Sequence, residues 1–382
     1  MMVGPYGILA VGFLSRAQDK REKQMSDYRY QPEQSPVFKG NYPRTVEEMA
    51  IWQQKADVEP VVDPDLPIVD AHHHLWDNFN GQYLIREITD DIRHSGHNVI
   101  STVHVQAHSM MRASGPEELK CLGETEFLSG IAAMSDSGRY GSTRVCEGIV
   151  GYVDFRLGER VGAILDQHML ISGGRFRGIR QGLTWTDEKV IADFLPSVAQ
   201  HKLMSDPNFR KGFAQLAPRD LSFDAWLFHP QMSELVELAN AFPDTRIVLN
   251  HIGGRLGIGS YAFRFKDEFA LWQADLKRLA QCPNVYIKIG GLGMVYGGFG
   301  FHTENKPLNS DDLVNAWSPF VQAGIDAFGP QRVIMESNFP VDKQCCTYQA
   351  LWNALKKITA SYSADERNRM FNGAAREFYR LV

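Results

Sequence analysis

Eight short apolar runs recur along this chain, each separated from the next by a stretch long enough to carry a helix, and that rhythm limits the fold more than any other feature. The runs are 68–72, 99–105, 148–155, 176–180, 221–228, 246–251, 285–289 and 333–338. Strands covered on both faces read as near-continuous apolar segments, and parallel neighbours need a crossover between them. Eight such βα repeats predict an α/β fold, a single (β/α)8 TIM barrel with an N-terminal extension. Barrels of this kind collect their chemistry at the C-terminal ends of the strands, so those ends are where functional residues are sought.

The barrel is expected over residues 59–382, preceded by an extension, 1–58, that carries one helix. Thr45-Val-Glu-Glu48 is a capping box that opens this helix, because Thr45 and Glu48 can each accept from the other's backbone N–H. The final stretch, 364–381, reads as a helix whose Met370, Phe371, Phe378 and Tyr379 complete the outer ring. Two long connections, 106–147 and 291–332, follow strands and so belong to the binding face.

Composition narrows the class of partner. A net charge of −5 over 382 residues leaves no basic stripe for nucleic acid. The apolar run 5–13 is far shorter than the roughly 20 residues a membrane span needs. Five cysteines, an odd number without C-x-x-C spacing, argue against a thiolate zinc site and a disulfide framework. The expectation is a cytoplasmic enzyme with a small-molecule substrate and neither a nucleic-acid nor a membrane partner; a homo-oligomer is left open.

The sharpest local signal is Ile68-Val-Asp-Ala-His-His-His-Leu-Trp76. Alternation along a strand points His72 and His74 to one face, about 6.6 Å apart, and His73 to the other. Two imidazoles so placed can converge on one metal ion. His229 and His251 end two further runs, after Phe223-Asp-Ala-Trp-Leu-Phe228 and Ile247-Val-Leu-Asn250. One strand-end histidine is more often structural; four at the same end of one barrel point to a site.

These motifs, with Val285-Tyr-Ile-Lys-Ile-Gly-Gly-Leu292 and Met335-Glu-Ser-Asn-Phe-Pro-Val-Asp342, resemble the amidohydrolase-2 branch of the amidohydrolase superfamily. Within it they are most similar to the lactonase-like group, which includes sugar-lactone and 2-pyrone-4,6-dicarboxylate hydrolases. The resemblance implies a TIM barrel, hydrolysis at a carbonyl, and site histidines at His72, His74, His229 and His251. The family's eighth strand usually supplies an Asp where this chain has Asn338, and an amide is a poor base and a poor ligand. Glu336 stands two residues back, on the same face, and is taken to restore the carboxylate. Neither 149–154 nor 176–180 contains the lysine that bridges two metals in binuclear members, so one divalent metal, zinc first, or none is expected.

The reading is a hydrolase that opens a lactone or related cyclic ester of a small, carboxylated acid. His72, His74 and His229 are assigned to the metal. Glu336 is assigned as general base, His251 to the leaving oxygen, and Asn338 to the catalytic strand end. Arg180 and Lys288, with His302 and Trp76, are assigned to the substrate; Arg180 pairing with Glu124 or Glu126 is an equal alternative. The rivals are a metal-dependent decarboxylase of aromatic or muconate-type acids and a non-catalytic binding barrel.

Overall fold

The computed structural model describes residues 44–78, 81–262 and 264–382; most of the predicted extension lies outside them. Ten strands are described: β1 (Ile68–His73), β2 (Trp76–Asn78), β3 (Gly81–Tyr83), β4 (Val99–Val105), β5 (Arg144–Gly151), β6 (Phe176–Ile179), β7 (Ser222–Ala225), β8 (Ile247–Leu249), β9 (Val285–Ile289) and β10 (Val333–Met335). β2 and β3 form a small antiparallel hairpin. The other eight pair in parallel in the order β1-β4-β5-β6-β7-β8-β9-β10, with helices between them. The (β/α)8 barrel is therefore present. Among the described residues no helix is long and apolar enough to cross a membrane.

Several strands are shorter at their C-terminal ends than the apolar runs suggest. β7 stops at Ala225, β8 at Leu249 and β10 at Met335, and the following residues leave the ladder to form the mouth of the barrel. β5 begins earlier than expected, at Arg144, and ends at Gly151.

Two apolar layers hold the barrel. Outside, Ile149, Ile179, Phe223, Leu249, Ile287 and Met335 pack against the helices. The helix Ile85–Ser95 shows why: Ile85, Ile88 and Ile92 recur at helical spacing and are buried, and Gly96 ends it with a left-handed φ of 68°. Inside, Val69, Ala71, Val103, Val105, Val150, Val248 and Ile334 pack with Phe378 and Tyr379. The C-terminal segment thus departs from the expected single helix over 364–381. A π-turn at Arg369–Gly373 separates Ala364–Asn368 from Ala374–Tyr379, which turns Phe378 and Tyr379 into the barrel floor while Met370 and Phe371 stay in the outer layer.

The ring closes between β1 and the segment after β10. Asn338 donates its N–H to the His72 carbonyl at 2.8 Å, and His74 donates to the Phe339 carbonyl at 2.8 Å. Beside this seam the buried Asp70 carboxylate accepts from Ser337 N–H at 2.9 Å, Ser337 Oγ at 2.6 Å and Tyr348 Oη at 2.8 Å. The helix Val46–Gln53 is clasped to the same end. Trp52 Nε1 donates to the Glu304 carbonyl at 2.8 Å and Gln53 Nε2 to the Lys343 carbonyl at 2.7 Å. Asp70→Ala would strip three buried donors of their acceptor, so unfolding in denaturant should show a loss on the order of 3 kcal/mol or more.

Candidate active site

A group of buried polar side chains fills the C-terminal half of the barrel interior. Pairing of β1 with β4 shifts register between Asp70 and His73, and beyond that shift His72 faces inward. Its ring lies 4.9 Å from His74, edge-on, and 4.5 Å from His251, centroid to centroid. His73 turns outward to Thr102 Oγ1 at 2.8 Å.

Glu336, wholly buried, joins these rings. Its Oε1 accepts from His251 Nδ1–H at 2.7 Å and from His251 backbone N–H at 3.2 Å. Its Oε2 lies 2.8 Å from His72 Nδ1 but is not aligned for a hydrogen bond, and it has no hydrogen-bond partner. His251 reaches this position on a left-handed turn, with φ of 53° at His251 and Ile252 and 76° at Gly253. The branched Ile252 is costly in that region, and such strain persists only where surrounding packing enforces it. Gly291 makes room for the ring, since a Cβ there would meet His251 Nδ1 at 2.3 Å.

Two cations face His72. Arg180 Nη1 lies 3.2 Å from His72 Nε2, and Lys288 Nζ lies 3.4 Å from Nδ1. Arg180 is fixed by Nε donation to Gln106 Oε1 at 2.9 Å and by Nη2 donation to the Gln106 carbonyl. It pairs with neither Glu124 nor Glu126. Glu124 accepts from the Ala107 and Ser109 amides, and Glu126 bonds Arg112. Lys288 is held by Asp224 Oδ2 at 2.7 Å. Burial, followed by Lys288, pushes the His72 pKa well below that of a free imidazole; burial, followed by Arg180, does the same for His74. Burial lowers Arg180 to about 10, which leaves it cationic at neutral pH. Neutral imidazoles are what metal ligation requires.

The ligand atoms of His72, His251 and Glu336 lie within 4.8 Å of one another. Two imidazoles and one carboxylate are a familiar donor set for a divalent ion. The orphaned Glu336 Oε2 is the observation that favours a cation there, because a buried carboxylate oxygen without a partner is expensive. The set differs from His72, His74 and His229. His74 donates Nδ1–H to the Val105 carbonyl at 2.8 Å and stacks on Trp76 at 5.7 Å. His229 has both nitrogens engaged, Nε2 with Glu268 at 3.2 Å and Nδ1 accepting from Leu256 N–H at 3.2 Å. It braces the loop after β8 instead of joining the group.

Asn338 is turned away by a left-handed φ of 56°, and its Nδ2 donates to Asp342 Oδ1 at 2.9 Å. A carboxylate in the same conformation at 338 would face Asp342. His302 lies beside the N-terminal helix, where Arg44 donates to its carbonyl at 2.7 Å. Sequence reading missed Asp224, Gln106, Trp226 and Tyr379. Trp226 meets His251 edge-on at 4.8 Å, and its position after β7 was a signal that could have been used.

The family model described as Amidohydrolase matches residues 69–381. This chain belongs to the amidohydrolase family. It is 36% identical over 340 residues to the uncharacterised protein y4mH of Sinorhizobium fredii, covering 83% of this chain and 99% of that one. It is 26% identical to an L-fucono-1,5-lactonase of Burkholderia multivorans, covering 82% and 96%. A crystal structure of an amidohydrolase from Burkholderia multivorans with bound zinc superposes with a TM-score of 0.62 at 23% identity, over 82% and 99%. That likeness speaks for the fold. The relatives place this amidohydrolase in the lactonase-like branch of its superfamily, as a hydrolase.

Two outcomes follow for this hydrolase. His229→Ala should lower stability by about 2 kcal/mol by leaving Glu268 Oε2 and the Leu256 amide without their partner, while divalent-ion affinity stays within about twofold. Burial raises the Asp342 pKa to about 7. Because the folded-state value lies above the unfolded one, this group stabilises fully below about pH 4, and the contribution is lost as pH rises through 7. The stability difference between the natural protein and Asp342→Asn, measured by urea unfolding, should therefore shift against the natural protein from pH 5 to pH 8.

Proposed function

We propose that this hydrolase opens the ring of a lactone of a small organic acid that itself carries a carboxylate. The observation that carries the reading is Glu336, buried, gripped by His251 at one oxygen and unpartnered at the other. The lactonases at 26% and 25% identity support a cyclic ester as the bond attacked. A divalent ion held by His72, His251 and Glu336, zinc by the nature of the donors, would supply positive charge that polarises the ester carbonyl.

The chain's own residues account for the rest. His251 holds Glu336 by two N–H donors on Oε1, which leaves the two lone pairs of Oε2 to face the ion and the attacking water. Glu336 Oε2 takes a proton from the attacking water as the new C–O bond forms. The same proton returns to the ring oxygen as the ester C–O bond breaks, so acid and base are one carboxyl group in two states. Arg180 spends two of its five N–H groups on Gln106, Nε–H and one on Nη2, and the remaining Nη groups are available to grip a substrate carboxylate. Trp76 on His74 and Trp226 on His251 provide aromatic walls.

The test is a panel of five- and six-membered lactones, with and without a carboxylate, followed by acid release at constant pH. Ring opening is expected, with the carboxylated members preferred and that preference lost in Arg180→Met. Glu336→Gln keeps the shape and removes the base, so kcat should fall by about 10²–10⁴. Release of CO2 from an aromatic acid, with the lactones untouched, would identify a decarboxylase instead.

A further inference from the structure

Beneath His72 the barrel holds a second buried polar group that the proposed reaction does not use. Lys288, Asp224 and Tyr379 are all wholly buried. Asp224 accepts from Lys288 Nζ at 2.7 Å, from Asn250 Nδ2 at 3.1 Å and from Tyr379 Oη at 2.9 Å. The Tyr379 ring lies 5.2 Å from the same ammonium, close enough for its face to attract the charge. The ammonium is thus anchored from below by a carboxylate and an aromatic ring. Above, it meets His72 Nδ1 at 3.4 Å. That nitrogen is also the one 2.8 Å from Glu336 Oε2, so the lysine stands against the donor atoms that would hold an ion.

We propose that Lys288 is a built-in cation of the site, whose fixed charge sets how tightly the His72–His251–Glu336 group holds a divalent ion. The inference rests on reading that group as metal ligands. A divalent ion on those donors would lie within a few ångströms of the ammonium, in a water-poor interior where like charges repel strongly. Asp224 offsets that repulsion in part, being paired with Lys288 on the side away from His72. Arg180, at the other nitrogen of the ring, adds a second positive charge of the same sign. The site is built to bind a divalent ion weakly and exchangeably, with its own cations already in place.

Zinc alone, titrated into chelator-stripped protein against a competing indicator, reads the effect without any lactone. Lys288→Met keeps the apolar stem and removes the charge, and should tighten zinc binding about tenfold or more. Lys288→Arg keeps the charge and should stay within about threefold of the natural protein. Asp224→Asn removes the offsetting carboxylate and should weaken binding by about threefold or more. Adding Glu336→Gln to Lys288→Met should abolish the gain. Equal or weaker binding in Lys288→Met, tightening in Lys288→Arg equal to that in Lys288→Met, a gain that survives Glu336→Gln, or no zinc bound by any variant would each overturn the proposal. If Lys288→Met fails to fold, the near-unchanged affinity expected of Lys288→Arg and the weakening expected of Asp224→Asn decide it. Because no substrate is involved, failure of the ring-opening reading would leave these results standing.

Discussion

A charged group taken out of water must find its partners inside the protein or give up its charge, and the interior of this barrel is arranged around that requirement. Lys288, Asp224 and Glu336 are wholly buried and Arg180 is 8% exposed. Each has a fixed partner. Lys288 has Asp224, Arg180 has Gln106, and Glu336 has His251. The exception is Glu336 Oε2, and it is the atom at which the proposed chemistry takes place. Removing one member of such a set leaves another charge stranded.

The seam that closes the barrel is also the frame of the site. The peptide groups of His72, His74, Asn338 and Phe339 exchange the hydrogen bonds that join the two ends of the sheet. Glu336 and His72 therefore cannot move apart without opening the ring. Asp70 reinforces the seam by gathering Ser337 and Tyr348, at the cost of burying a carboxyl whose pKa rises to about 6 mainly through desolvation. Stability and active-site geometry are tied to the same few residues. A carboxylate placed on a seam gains rigidity that a loop could not give it.

Much of the barrel was legible because its strands are buried on both faces and its crossovers are long, which together leave a strong apolar rhythm. Alternation sets His73 against His72 and His74, but with Val69 and Ala71 already inside it is the register shift between Asp70 and His73 that turns His72 into the barrel. Other features depend on departures from regular structure. The apolar runs after β7, β8 and β10 continue past the strands because the mouth residues, Leu227, Phe228 and Asn250 among them, are buried too. The left-handed conformation at Asn338 reverses the direction a strand would give it, so its side chain meets Asp342. His229 ends an apolar run as His251 does, yet Glu268 on the helix Phe265–Leu279 draws it aside. No local pattern announces a partner so far along the chain. Tyr379 was hidden in the same way, since only the π-turn at Arg369–Gly373 directs it into the barrel.

The balance of charge around His72 bears on what can bind. Two cations, Arg180 and Lys288, face two anions, Asp224 and Glu336, so the four together are neutral. A divalent ion would leave that interior with two uncompensated positive charges, and a neutral ligand would do nothing to relieve them. A carboxylated substrate brings one negative charge to the Arg180 side, and the alkoxide character that develops as an ester is attacked takes over the charge that Glu336 gives up on accepting the water's proton. Binding of ion and of anionic substrate would then favour one another, a coupling that follows from electrostatics in a low-dielectric interior and needs no change of shape.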